Sequence, residues 1–262
     1  VQEQRTDDYR PSTYGDRIAA VYDEVWSPAT GVYEGRTLGD ETEATVELLA
    51  ALADGGPVLE LGVGTGRVAV PLAERGLEVH GIDASEAMLE QLRDKPGGDL
   101  VTTSLGDLAD VDVDGAFAVV FVVFSTFSAL LTQEDQIRCF ANVAAHLTDT
   151  GVFVLDLFVP DPVRFERGQL LETMAITADE ATLGATVHDP VAQRVDSQHI
   201  HLREDGIKLY PVYLRYVWPS ELDLMARLAG LRLRDRFADW RGAPFTAAST
   251  RHVSIYARSD AS

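Results

Sequence analysis

Cysteine is nearly absent: Cys139 is the only one in 262 residues. No internal disulfide can form, which suits a reducing compartment. Basic side chains are scarce too, 22 Lys and Arg against 42 Asp and Glu, a formal net charge of −20. Such a surface repels phosphate backbones, which argues against a nucleic-acid substrate, and it disfavours anionic membranes. Its plainest consequence is solubility. No apolar run reaches the roughly 18 residues of a membrane span, and the opening stretch VQEQRTDDYRPSTYGD has no signal-peptide core. A cytoplasmic location is expected. Internal repeats and low-complexity tracts are missing. So is the dinucleotide fingerprint G-x-G-x-x-G, which would need a glycine where Arg67 stands.

What is present centres on PVLELGVGTGRVAV, Pro57 to Val70. A short apolar run ends in Gly62-Val63-Gly64-Thr65-Gly66, and a helix-compatible segment follows. That pattern predicts a buried parallel strand, a tight turn and a helix N-terminus, the place where α/β folds bind nucleotide-like ligands. Strands are predicted at 57–62, 77–83, 100–105, 116–124 and 150–158, with helices at 65–75, 85–94 and 132–147. Alternation of this kind implies a parallel sheet wound by right-handed crossovers. Thr132 and Asp135 have capping-box spacing. Before this block lie a mobile arm (1–13), a helix from Tyr14 to Trp26 with Ile18, Val21, Tyr22 and Val25 on one face, and a second helix from Thr37 to Leu52. Residues 159–218 hold β-rich pieces and read as an antiparallel insert. Ser220 is expected to cap a helix ending at Gly230, with final strands at 231–238 and 251–258. The fold class is α/β: a doubly wound, mostly parallel, seven-stranded Rossmann-like sheet with an antiparallel β insert. The expected division is a helical cap (1–56), a core (57–158 and 219–262) and the insert (159–218).

Ligands in such sheets bind at the carboxyl ends of the strands. The glycine turn lets a ligand approach the backbone closely. LEVHGID ends in Asp83, whose carboxylate can accept two hydrogen bonds from a ribose diol. LVTTSL leads to Gly106-Asp107-Leu108, where an acceptor beside a backbone N–H suits an adenine edge. VVFSTF places Phe124 and Ser125 beneath the reactive end.

With LELGVGTGR, GIDAS, LGDL and VVFSTFSALL in these positions, residues 14–158 resemble class I S-adenosylmethionine-dependent methyltransferases. The resemblance implies S-adenosylmethionine as cofactor. Gly62, Gly64 and Gly66 would face its methionine part and ribose, Asp83 the ribose hydroxyls and Asp107 the adenine amine. Glu60 would help place the amino group, and Met88 would lie near the adenine face; Tyr22, Ala84, Leu108 and Phe124 complete the implied cofactor contacts. A narrower resemblance is to bacterial N,N-dimethyltransferases acting on nucleotide-linked amino sugars, on the register of Tyr14, Tyr22 and Tyr33 and on AVYDEV. The chain departs from that subgroup after the fourth strand, where FSTFSALL has no histidine, and after the fifth, where LDLFVPDP has no tryptophan pair.

The expected activity is methyl transfer to nitrogen or oxygen of a small-molecule acceptor, tilted toward nitrogen because no compelling base is visible. Two alternatives share the fold: cyclisation or rearrangement around the sulfonium, and non-catalytic binding. Tyr14, Tyr33 and Arg241 are candidate substrate contacts. His199, His201 and Asp156 are candidate catalytic groups, although a polar strand face explains the two histidines as well. His188, His199 and His201 could hold a metal, but their spacing is unspecific and none is expected. Arg67 is open between the cofactor carboxylate and a surface acid. Cys139 sits among apolar helix positions and is read as packing. A homodimer is a possible assembly.

Overall fold

The computed structural model describes residues 8–25, 32–33 and 36–259; residues 1–7 of the expected arm, and Trp26, lie outside them. Helices α1 (Thr13–Ile18) and α2 (Tyr22–Val25), joined by a 3-10 turn, precede a ribbon of β1 (Val32–Tyr33) and β2 (Arg36–Thr37), and α3 (Leu38–Ala53) follows. Next come β3 (Val58–Leu61), α4 (Ala69–Glu74), β4 (Val79–Asp83), α5 (Glu86–Arg93), β5 (Val101–Leu105), β6 (Phe117–Val122), α6 (Gln133–His146) and β7 (Leu147–Phe158). Four long strands intervene, β8 (Gln169–Ile176), β9 (Glu180–Asp189), β10 (Arg194–Arg203) and β11 (Gly206–Arg215). The series ends with α7 (Pro219–Leu228), β12 (Leu231–Phe237) and β13 (Arg251–Arg258).

Seven strands form one sheet in the order β12-β13-β7-β6-β3-β4-β5. All pairs from β7 to β5 are parallel, and β13 runs antiparallel to both β7 and β12. The doubly wound sheet predicted from the alternating pattern is therefore present. The central strand β6 is apolar at every position because both faces of the sheet are covered. Along β6, Val120 and Val122 join Phe140 and Val143 of α6 and Leu222 and Met225 of α7 on one side. Val119 and Phe121 join Leu49 of α3, Leu72 of α4 and Leu89 of α5 on the other. Cys139 is fully buried in the first layer, and burial pushes its thiol well above the ordinary range, so it stays a neutral packing group. The strand order reverses between β3 and β6, and the crevice beyond their carboxyl ends is where such sheets take ligands.

The separate sheet β11-β10-β9-β8 is antiparallel throughout. The first predicted helix is broken, because a 3-10 turn at Ala19–Val21 tightens the chain where Ile18 and Ala19 bury against Met88 and Tyr210. The helix predicted from residue 65 begins at Ala69, since the turn itself consumes the residues up to Val68 and Gly66 has φ +82°. Ser220 lies inside α7 instead of capping it: Pro219 occupies the first turn, where its missing N–H is no loss, and Trp218 is the N-cap. Among the described residues, no helix is long and apolar enough to cross a membrane.

Candidate active site

The glycine turn after β3 is fastened to β4. The N–H groups of Gly62 and Val63 both donate to the Ile82 carbonyl, at 2.8 and 2.9 Å. Gly62 has φ +76°, and a Cβ there would stand 2.5 Å from Thr126 Cγ2, so a side chain is excluded by conformation and by contact alike. Gly64 faces open space, and its N–H donates to Asp83 Oδ2 at 2.8 Å. Ser85 N–H donates to Asp83 Oδ1 at 2.9 Å. With the Ala84 N–H also directed at it, the carboxylate still has acceptor capacity left for a further donor. Burial pushes the Asp83 carboxyl up, against the pull of these N–H groups.

Two latches hold the N-terminal helices over this turn. Ser85, the N-cap of α5, donates its hydroxyl to Asp16 Oδ1 at 2.7 Å while accepting from Met88 N–H. Asp23 accepts from the Thr65 hydroxyl at 2.7 Å and pairs with Lys95 Nζ at 2.6 Å, and Lys95 also donates to the Thr65 carbonyl.

Beneath lies a small cleft, partly open to solvent, whose lining includes Tyr22, Glu60, Gly62, Gly64, Arg67 and Phe124. Glu60 is 2% exposed and its Oε2 has no hydrogen-bond partner among the described residues. Burial, only partly offset by Arg67, pushes this carboxyl up to about 8. Arg67 lies over the Phe124 ring, 4.9 Å from its centre, and donates to Thr42 of α3. Phe124 and Ser125 both have φ +59°, a region costly for side-chain-bearing residues. Asp156 holds them there: its Oδ2 accepts from Phe124 N–H at 3.2 Å and its carbonyl from Ser125 N–H at 3.0 Å. Its Oδ1 is bound by Arg251, which reaches on to Glu41 of α3.

The residues proposed from sequence are distributed as follows. Tyr22, Glu60, the glycines Gly62 and Gly64, and Phe124 line the cleft, and Gly66 sits in the turn behind it, where a Cβ would crowd Leu92. Ala84 contributes a backbone N–H to Asp83. Asp107 uses Oδ1 to accept from Ala109 N–H, and Leu108 is buried beside Gly62. Met88 is buried with Ile18, Ala19 and Tyr210, and Tyr14 packs on that cluster. Arg241 is exposed and donates to the Asp40 carbonyl, outside the cleft lining. The Tyr33 side chain lies outside the described residues. The three insert histidines do not converge. His188 meets the Tyr216 hydroxyl and stacks on Phe165, and His201 Nδ1 lies 2.6 Å from Glu180. His199 lies on the same strand face as His201, opposite Tyr210 and Gly184 in the ladder. Those residues contain no group of three or more His, Cys, Asp or Glu able to hold a metal ion. Sequence reasoning missed Thr126, Thr65 and Asp16. Asp16 carries no local signal, since its partner lies 69 positions away.

Comparison with known proteins agrees with this geometry. A profile of the family described as "Methyltransferase domain" matches residues 58–151. The cypemycin N-terminal methyltransferase of a Streptomyces species is 31% identical over 210 residues, 78% of this chain and 84% of that protein. A dTDP-4-amino-2,3,4,6-tetradeoxy-D-glucose N,N-dimethyltransferase of Saccharopolyspora spinosa is 29% identical over 147 residues, 55% of this chain and 56% of its own length. The structure of the CcbJ methyltransferase from Streptomyces caelestis superposes with a TM-score of 0.88 at 43% identity, covering 96% of this chain and all of that one.

The cleft suits S-adenosylmethionine. The buried, unpartnered Glu60 oxygen fits the amino group, and the Asp83 carboxylate fits the ribose diol. When bound, the cofactor supplies an electrophilic methyl on a sulfonium. The protein's own part is to orient both reactants and keep water out. On this ground, and on an identity above 30% across most of a known methyltransferase, the chain belongs to the class I S-adenosylmethionine-dependent methyltransferases.

Proposed function

We propose that the acceptor is an amine nitrogen of a small metabolite. The observation carrying this reading is His199. It sits on the face of the insert that also bears Tyr210, its cross-strand partner, and Tyr210 packs on Met88 and the N-terminal helices. Burial and the neighbouring His201 push the His199 imidazole below its ordinary value of 6.5, so it is neutral near pH 7. An ammonium must lose a proton before its lone pair can attack a methyl group, and a neutral imidazole can take it. His201 is committed to Glu180 and Asp156 to Arg251, which leaves His199 the best placed of the three candidate bases. Two relatives support the choice of nitrogen: one is named for an N-terminal and the other for an N,N-dimethyl product. The cap, core and insert division is part of the proposal, with Tyr14 and Tyr33 of the cap as substrate contacts. So are a cytoplasmic setting and an acceptor other than nucleic acid, supported by the lone cysteine and the charge of −20.

His199→Gln should lower kcat about a hundredfold and remove the acid limb of the pH–rate profile, which lies below pH 6.5. Cofactor affinity, read by calorimetry, should stay unchanged. An unaltered pH profile would remove His199 from the chemistry. For the cofactor site the test is Asp83→Ala: equal affinity in wild type and variant would overturn the ribose assignment.

A further inference from the structure

A left-handed backbone is costly for any residue with a side chain, and such strain survives only where neighbours over-determine it, most often at functional sites. Among the described residues, five other than glycine have positive φ: Asp54, Phe124, Ser125, Arg167 and Gln193. Phe124 and Ser125 are the consecutive pair, and Phe124 alone of the five belongs to the cleft lining. The pair is held from behind by β7. Asp156 offers Oδ2 to the Phe124 N–H and its carbonyl to the Ser125 N–H, while Ser125 Oγ accepts from the Phe158 N–H at 3.2 Å. From the front, Thr126 Cγ2 fills the space where a Gly62 side chain would stand. The turn is wedged between β7 and the glycine turn.

The tie is an ion pair set in an apolar layer. Asp156 is 3% exposed and Arg251 6%, and they share the side of the sheet built from Val152, Val154, Val253 and Ile255. A buried pair in such a layer usually adds no more stability than apolar side chains of the same size. What apolar side chains cannot do is accept an N–H. We propose that Asp156 is a positioning residue for methyl transfer. Its carboxylate, held by Arg251 and through it by Glu41 of α3, sets the Phe124–Ser125 turn, so that the Phe124 wall of the cleft stands fixed against the sulfonium methyl before the cofactor arrives. In-line transfer is sensitive to displacements of about 1 Å, which a preset wall prevents. Both carboxylate oxygens are engaged, so Asp156 acts through the turn and takes no proton from the acceptor. This role follows from methyl transfer itself, whichever group takes that proton.

Wild type supplies the first test, without any variant. In the cofactor-free protein the Phe124 and Ser125 amides should exchange with solvent at least about a hundredfold more slowly than open-loop amides. Exchange at the open-loop rate would overturn the inference, since nothing would then be preset. The second test compares two variants in a background carrying Glu41→Gln and Arg251→Met, which removes the charges around Asp156 together. Asp156→Leu leaves the layer apolar and the turn without its acceptor, whereas Asp156→Asn keeps a side-chain oxygen for the Phe124 N–H. The Leu variant should lose amide protection at Phe124 about tenfold or more, and the resonance of the isotope-labelled methyl group of bound S-adenosylmethionine should leave its wild-type position. The Asn variant should keep both signals. A methyl resonance unmoved by Leu, or moved equally by Asn, counts against the role. So does a Leu variant that no longer binds the cofactor, which would put Asp156 in binding instead of alignment. As a control, Asp223→Asn breaks the Arg236 ion pair on the other side of the sheet and should lower the melting temperature with the methyl resonance in place. A shift there too would mean that lost stability, not the lost turn, moves it, and would defeat the proposal. None of these readouts uses an acceptor, so failure here leaves the nitrogen and His199 assignments standing.

Discussion

Glu60 occupies a strand position flanked by Leu59 and Leu61, both fully buried, and its own carboxyl has nowhere to shed charge. The sign of its effect on stability follows from the raised value near 8 against an ordinary 4.5. Below pH 4.5 the group is neutral in folded and unfolded chains alike. As pH rises the unfolded chain ionises first, so the cofactor-free fold loses stability up to about pH 8, by as much as about 1.4 kcal/mol per pH unit. Thermal unfolding of the free protein should therefore shift downward between pH 5 and 8, and the shift should vanish in Glu60→Gln. Binding of a cationic amino group reverses the balance. At pH 7 cofactor binding should release close to one proton, seen as a dependence of the calorimetric heat on buffer ionisation enthalpy. Glu60→Gln should abolish that dependence and weaken binding by about ten- to a hundredfold, the worth of a charge-assisted hydrogen bond. Proton release in the variant equal to wild type would remove Glu60 from the amino-group role.

The glycine turn and the post-β6 turn are elements that close on each other. Gly62→Ala meets two separate penalties, the contact with Thr126 Cγ2 and the φ of +76°. Thr126→Ser deletes that methyl group. The double variant should recover the contact penalty and retain the backbone one of about 1 kcal/mol, measured as a double-mutant cycle in urea. A cycle with no coupling would mean the two turns relax independently. The second turn depends on Asp156. Removing it in Asp156→Ala leaves the buried Arg251 guanidinium with Glu41 but without its second carboxylate, and frees the strained Phe124–Ser125 backbone. A loss of about 1–3 kcal/mol is expected, the cost of leaving buried donors unsatisfied. Glu41, the other partner of Arg251, ties α3 to the same ion pair, so the loss should extend to protection of α3 in hydrogen exchange.

For the whole molecule, the formal charge of −20 makes copies of the chain repel one another. Salt should ease that repulsion while leaving the buried cleft nearly untouched, because screening acts on exposed charge. Measured cofactor affinity should change little, less than about threefold, between about 0.05 and 0.5 M salt. A large salt effect on cofactor binding would mean that distant surface charge reaches the cleft.

Local order was written in the chain. The strand–glycine–helix signature, the acidic end of β4, the apolar run of β6 and the Thr132 cap each depend on neighbours within a few residues, and periodicity and spacing reveal such dependence. Helix starts were less legible where a turn or a proline claimed the first residues, as at Ala69 and Pro219. Contacts across long separations were not legible at all. Asp16 reaching Ser85, Asp23 reaching Thr65, and Arg251 bridging Glu41 and Asp156 are set by which elements the sheet order brings together. The sequence alone determined a doubly wound core with an adenosyl-type site, because burial on both faces and a side-chain-free turn are local demands. Tertiary structure alone decided that His201 and Asp156 are committed to ion pairs and that Asp156 meets the Phe124–Ser125 turn, since both depend on what packs against what.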